Sequence, residues 1–434
     1  MIKYTYIGLL LFSFYAGMAQ EAKPITKEDI LSQVIENNNT IKMAQQDVLA
    51  AKGDFNQTNA ILLPNISVSH TGIATTNPLM AFGSKLNQEI LTAADFNPDL
   101  LNDPRQIEDY ATRVVVQQPL LNFDGFFQRK AAKAKWNATE LQSERTQEYL
   151  VLEVEKAYMQ LQLAYKTVEV LQKAQETAQE NQRIANNSFQ QGYLQKSDVL
   201  AVEVRVTEIE NQLQYAKSNI LNASNYISVM TNADENQILR PTDSLTVKGD
   251  DITNTELSEN RKDIQALNSA AEAYKQMHKA DQMSFLPSLN AFGTYEMHDD
   301  KVFQGNANGY LFGAELKWNL FEGSKRFGKS QKSKAEYDKS KLQLEQYTSE
   351  SQLELNKALR GLEDAKNKLI LTALALEQSK EALRIRTNRF EQGLEKTTDL
   401  LMAETQYSQK QLEYYATIFQ HNYALAYVQF LTKG

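Results

Sequence analysis

The stretch Leu150-Val-Leu-Glu-Val154-Glu-Lys-Ala157-Tyr-Met-Gln-Leu161-Gln-Leu-Ala164-Tyr-Lys-Thr-Val168-Glu-Val-Leu171 decides the fold. Its apolar residues at Leu150, Val154, Ala157, Leu161, Ala164, Val168 and Leu171 alternate steps of four and three. That is the heptad spacing of helices packed side by side along a seam. No proline interrupts the chain from Phe126 to Gln191. At ~1.5 Å per residue such a helix is a rod about 100 Å long, well beyond the helices of an ordinary globular domain. The last six of these positions return 201 residues later as Leu355, Ala358, Leu362, Ala365, Leu369 and Thr372, and of those six only Thr372 is not apolar. The chain carries the rod twice.

The flanks repeat as well. Phe189-Gln-Gln-Gly192 is matched by Phe390-Glu-Gln-Gly393, and Ser197-Asp198-Val-Leu200 by Thr398-Asp399-Leu-Leu401. In the return helices, Ala223, Tyr226, Ile227 and Thr231 match Ala424, Tyr427, Val428 and Thr432. Each first rod ends in a glycine turn, and Ser197 or Asp198 is positioned to cap the return helix. Upstream, Asn122-Phe-Asp-Gly125 matches Leu320-Phe-Glu-Gly323, and Leu63-Pro64 matches Leu286-Pro287. Pro64 and Pro287 each close a helix, because proline disfavours helix in the residue before it. The helices they end run from 27 to 62, with Thr26 as a cap, and from Arg261 to Phe285. Strands follow at 65–71, 113–117, 288–295 and 310–318. The segment Thr75 to Tyr110, with Pro78, Pro98 and Pro104, reads as a loop with some local order. Its apolar patch Leu79-Met-Ala-Phe82 implies that it packs against something. The organisation is a signal peptide (1–19), a first repeat (20–232), a connector (233–256) and a second repeat (257–434). Each repeat is helix, two strands and a long helical hairpin.

Composition narrows the function. The 434 residues contain no cysteine, which excludes disulfides and thiol-based metal or redox sites. The four histidines, His70, His278, His298 and His421, have no metal-binding spacing. The net charge of −8 is spread along the helices, without the basic stripe of a nucleic-acid binder. No nucleophile elbow, phosphate loop or dinucleotide turn is present, so no catalytic, cofactor or metal site is expected and the protein reads as a non-enzyme. Lys3, the apolar run from Ile7 to Phe12 and the small residues Ala16, Gly17 and Ala19 read as a secretory signal peptide cut after Ala19. Beyond residue 20 no apolar run is long enough for a membrane helix. An exported chain of this kind enters a membrane only as strands.

The strands have that length. In the last one, Tyr310, Phe312, Ala314, Leu316 and Trp318 share one face while Glu315, Lys317 and Asn319 share the other. Lipid outside and water inside account for this alternation, as does a soluble sheet with one dry face. Four strands cannot close a barrel; about eight are needed even for a filled one. Several chains must therefore share it.

These ordered duplicates, the signal peptide and the proline-free rods together resemble the TolC-like outer-membrane efflux family over essentially the whole mature chain. The resemblance implies a mainly α fold with a membrane β-barrel. A homotrimer would form a twelve-strand barrel that continues into a periplasmic α-helical tunnel. It implies a passive exit duct of a tripartite efflux or type I secretion system, set in outer-membrane lipid. A periplasmic adaptor would engage it, and an inner-membrane transporter would act through that adaptor. Gly192, Tyr193 and Leu194, with Gly393, Leu394 and Glu395, resemble the periplasmic tips where the adaptor docks. Asp399 holds the place of an entrance acid, with Asp198 near it. Met402 stands where a second acid is expected, and Glu395 where a basic residue is expected. The family's salt-bridge lock is therefore not carried over, and a single acidic ring is the expectation. Helix capping by the two aspartates is the competing reading of the same residues. A soluble periplasmic coiled-coil adaptor or spacer is the alternative function, though it calls for one hairpin rather than two. The sequence does not name the cargo.

Overall fold

A computed structural model describes residues 22–234, 237–249, 252 and 254–434. The expected signal peptide lies outside the described residues. The elements are, in chain order, β1 (Lys23–Ile25), α1 (Lys27–Asn37), α2 (Asn39–Gln57), β2 (Asn65–Thr75), α3 (Pro78–Asn87), α4 (Pro98–Asn102), β3 (Ile107–Leu121), α5 (Phe123–Gln190), α6 (Lys196–Thr231), β4 (Leu239–Pro241), α7 (Lys262–Met283), β5 (Ser288–Asp299), β6 (Ala307–Lys317), α8 (Lys325–Glu391) and α9 (Thr397–Thr432). The rods α5 and α8 are 68 and 67 residues long, and each return helix has 36. The order α2–β2–β3–α5–α6 recurs as α7–β5–β6–α8–α9.

One compact unit comprises residues 145–261 and 350–434 with the described residues up to Met43. The seam Val154, Ala157, Leu161, Ala164, Val168 and Leu171 is buried throughout. Its first half packs on Ile30, Val34 and Ile41 and on Ile227 and Met230 of α6. Its second half packs on Leu213, Ala216 and Ile220. Thr372 is also buried, and its hydroxyl donates back to the Lys368 carbonyl at 2.9 Å. The departure from apolar thus leaves no unsatisfied group. The single helix expected over 27–62 is instead broken at Asn38. The Asn38 side chain donates to the Met230 carbonyl at 2.8 Å and accepts from Thr40 N–H at 2.8 Å. A long-range bond thereby replaces one helical turn. Thr26 does cap α1, through reciprocal bonds with Asp29.

The polar connector is not a free linker. Within it β4 pairs in parallel with β1, Lys23 opposite Leu239. Tyr165 of α5 donates to the Leu239 carbonyl at 2.9 Å, and the Tyr158 hydroxyl bonds the Asp243 carboxylate. Burial, reinforced by that carboxylate, pushes the Tyr158 phenol up to about 12. Asn422 of α9 accepts from Lys248 N–H at 3.0 Å and donates to the Thr246 carbonyl at 2.8 Å.

The second compact unit comprises residues 44–144 and 262–349. Its sheet is antiparallel in the order β2-β3-β5-β6, so the two repeats lie side by side through β3 and β5. The strands run longer than expected, above all β3, which passes through Pro119 at a register shift. The 75–110 segment holds α3, a 3-10 turn at Ala93–Phe96 and α4. Pro78 and Pro98 sit at their helix starts, with Asn77 and Asn97 as caps. The buried apolar residues of this unit are Ala51, Ala81, Ile107, Ala131, Ala266, Ala271, Ala280 and Ala307. Small side chains dominate its interior, while its large apolar side chains lie outside.

Candidate functional site

The sheet has two chemically distinct faces, fixed by register. Ile66 and Val68 of β2 lie opposite Val116 and Val114 of β3; Val114 lies opposite Tyr295, and Tyr295 opposite Tyr310. Phe312, Ala314 and Leu316 continue this apolar face, on which Val68 is 68% and Phe312 77% exposed. The other face carries Ser67, Ser69, Thr71, Asp109, Arg113, Glu296, Glu315 and Lys317. Arg113 and Glu296, directly opposed, are ion-paired at 2.6 Å. Eleven residues at ~3.3 Å, tilted by about 40°, span about 27 Å, the height of an outer-membrane apolar band. Aromatic rings mark both ends of it. Trp318 donates its indole N–H to the Phe285 carbonyl at 3.0 Å near the helices, beside exposed Phe321 and Phe327. At the far end His70 stacks on Phe303, with centroids 4.3 Å apart. An exposed apolar face of this size requires a cover. No helix among the described residues is long and apolar enough to cross a membrane. Pro64 and Pro287 stand one residue before β2 and β5, at the two helix-to-strand junctions.

The two rod ends share one backbone design. Gly192 N–H donates to the Phe189 carbonyl at 3.0 Å and Tyr193 N–H to that of Ser188 at 2.8 Å. Gly393 and Leu394 repeat the pair with Phe390 and Arg389, each at 2.9 Å. This is the Schellman closure, which needs a left-handed residue. Gly192 has φ +78° and Gly393 φ +71°. A Cβ at either glycine would meet nothing within 4 Å, so the cost of alanine is purely conformational. Gly393→Ala is expected to destabilise the turn by about 1 kcal/mol, read as faster amide exchange confined to residues around the tip.

Caps differ from expectation by a few positions. Gln195 and Lys396, not Ser197 or Asp198, occupy the N-cap positions of α6 and α9. Asp198 reaches back from the first turn and accepts from Gln195 N–H at 3.1 Å, so its carboxylate does serve the helix start. Glu395 is clamped by Arg386 Nη1 at 2.7 Å and Arg389 Nε at 2.9 Å. Asp399 lies 3.9 Å from the same Arg386. The second tip is thus a compact set of two acids and two arginines within one hairpin. The arginines were missed in the sequence because they lie on the rod's far side of the turn from Asp399. Met402 is exposed, as are Tyr193 and Leu394, while Leu194 is half-buried.

Glu404, one helical turn past the tip set, was also missed. It is 6% exposed and accepts from the Asn181 amide of α5. Its second oxygen has no hydrogen-bond partner. Burial pushes its carboxyl up to about 7, against the opposing pull of the Arg205 charge and the Asn181 bond. The signal was present: Glu404 interrupts the seam between Leu400 and Tyr407, where a charge is costly.

Comparison with known proteins fits this geometry. The family model described as "Outer membrane efflux protein" matches residues 30–233 and 255–424. No curated protein sequence gives a significant match. Among solved structures, the CmeC outer membrane channel of Campylobacter jejuni superposes with a TM-score of 0.82 at 17% identity, covering 94% of this chain and 85% of that one. The outer membrane protein VceC of Vibrio cholerae gives a TM-score of 0.79 at 18% identity, covering 94% and 96%. A membrane protein from Pseudomonas aeruginosa gives 0.81 at 17%, covering 94% and 93%. The exposed apolar strand face, the duplicated hairpins and the match over most of the chain lead to one conclusion: this chain belongs to the outer membrane efflux protein family.

Proposed function

We propose that three copies of the chain form one passive exit duct of a tripartite efflux or secretion system. Their twelve strands would close a single barrel in the outer membrane, and the α5–α6 and α8–α9 hairpins would line a periplasmic tunnel. The observation that carries this reading is the sheet: one face is apolar and exposed, and its outer strands β2 and β6 each have one unpaired edge. In hydrocarbon every open edge leaves unsatisfied backbone groups at several kcal/mol each, so the sheet must close. Four strands cannot do so and twelve can. Exposed Leu342, Leu353, Ile370, Leu371 and Leu374 on α8 offer further apolar surface for contact between copies.

The chain binds no energy source in this reading. A periplasmic adaptor docks on the tips formed by Gly192, Tyr193, Leu194, Gly393, Leu394 and Glu395, and connects them to an inner-membrane transporter. Tyr193, 80% exposed at the apex of its turn, supports such a contact. Asp198, Asp399 and Met402 stand at the entrance. Three copies of Asp399 brought close favour cations. In planar bilayers the wild-type trimer should conduct in discrete steps with cation preference. Asp399→Asn should lower the cation-to-anion permeability ratio by about two- to threefold. An unchanged ratio removes Asp399 from the entrance, and a trimer that never conducts rejects the duct.

A further inference from the structure

The 76–106 segment between β2 and β3 has an ordered fold and a definite place. Gln88, itself buried, donates to the Glu108 carbonyl at 2.7 Å and to the Asp109 carboxylate at 3.1 Å. Asp109 also meets His298 Nδ1 at 3.1 Å. Asp109 and His298 belong to the polar face of the sheet. A cavity of about 410 Å³ lies between α3, at Met80, Gly83 and Ser84, and polar-face residues Thr71, Arg113 and His298. The segment therefore covers the polar face and leaves the apolar face free. Internally it is braced by Lys85–Asp95 at 2.7 Å and by Phe82 against Phe96 at 5.7 Å. Yet Leu79 is 81% exposed, and Leu86, Ile90 and Phe96 are exposed with it. An apolar surface on the water-facing side of a membrane sheet has no lipid to meet.

We infer that these surfaces meet one another: three copies of the 76–106 segment, one per chain, pack on the barrel axis and form an apolar constriction at its outer mouth. This rests on the shared-barrel reading above. Twelve strands about 4.8 Å apart, tilted by about 40°, enclose a ring about 24 Å across. A helix with its side chains is about 10 Å wide, and three such cylinders side by side nearly fill the ring. The occupant of the exposed face is thus the same segment of the partner copies. An apolar constriction slows ions by partial dewetting and holds back large solutes by its narrowness, so it lowers conductance without abolishing it.

The chain has no cysteine, so single-cysteine variants report on one place each. In the purified detergent-solubilised protein, Leu79→Cys treated with a short bis-maleimide should link copies covalently. Phe303→Cys, on the apolar face beside His70, should not. In whole cells, Glu315→Cys lies on the polar face below the segment. Its labelling by an externally added polymer-linked maleimide should be slow. It should become at least tenfold faster when residues 78–104 are replaced by a short glycine–asparagine turn. Equal labelling rates together with no Leu79→Cys cross-link, in a protein of trimeric mass, overturn the constriction and leave the duct standing. A protein without trimeric mass overturns the shared barrel itself.

Discussion

Phe312→Arg is expected to abolish accumulation of the assembled protein in the outer membrane. Phe312 is the middle residue of β6, on the apolar face, with its ring stacked 6.1 Å from Tyr310. An arginine at the bilayer midplane of a barrel costs roughly 2–4 kcal/mol. A shared barrel places it three times at one depth, so the assembly loses about 6–12 kcal/mol, comparable to the whole stability of a domain. Glu315→Gln, on the opposite face, is the control and should be tolerated. The readout is the amount of heat-resistant oligomer in outer-membrane fractions. Normal accumulation of Phe312→Arg would mean that this face does not meet lipid.

Glu404→Gln is expected to stabilise the protein at alkaline pH and to leave it unchanged at acidic pH. Burial pushes the folded carboxyl up to about 7 from the ordinary 4.5 that the unfolded chain would show. Below about 4.5 both states hold the proton, and the glutamate costs nothing extra. Between about 4.5 and 7 the unfolded state has released its proton and the folded state has not, so the penalty grows. Above 7 it is complete, at roughly 3 kcal/mol per chain. Glutamine keeps the neutral form at every pH and can still accept from Asn181. Thermal unfolding of both proteins at pH 8 and at pH 4 tests this: the variant should melt higher at pH 8 and equally at pH 4. A difference independent of pH would assign the effect to packing rather than to ionisation. Because Glu404 joins α9 to Asn181 of α5, the two hairpins should be held most firmly when it is protonated.

The features legible in the sequence were those set by local chemistry. The buried seam of α5 and the paired glycine turns followed from spacing, whereas α2 stops at Gln57 and a 3-10 turn at Thr58–Ile61 carries the chain towards Pro64. The strand face of β6 was legible because Tyr310, Phe312, Ala314 and Leu316 recur at every second position. Where tertiary contacts decide, the pattern was silent. Asn38 breaks a helix because Met230, remote in sequence, offers a carbonyl. The first half of β3, Ile-Glu-Asp-Tyr-Ala-Thr, hides its alternation because Ile107 is buried on the same face as Asp109, while Glu108 lies on the face of Tyr110. The three-residue pair β1–β4 is too short to carry a period. At the tips, the two glycine turns fall where the repeat spacing put them, but the charges around the second are paired. Glu395 and Asp399 share Arg386, so the acids expected to stand alone are partly neutralised within their own hairpin.

The central claim is that three chains share one membrane barrel. Its most direct test is the mass of the protein extracted from outer-membrane fractions, measured by light scattering with the detergent contribution subtracted. The account predicts three chains per particle and no extraction without detergent. A monomer or dimer that is soluble in buffer alone would contradict it and leave a periplasmic coiled-coil spacer as the better account.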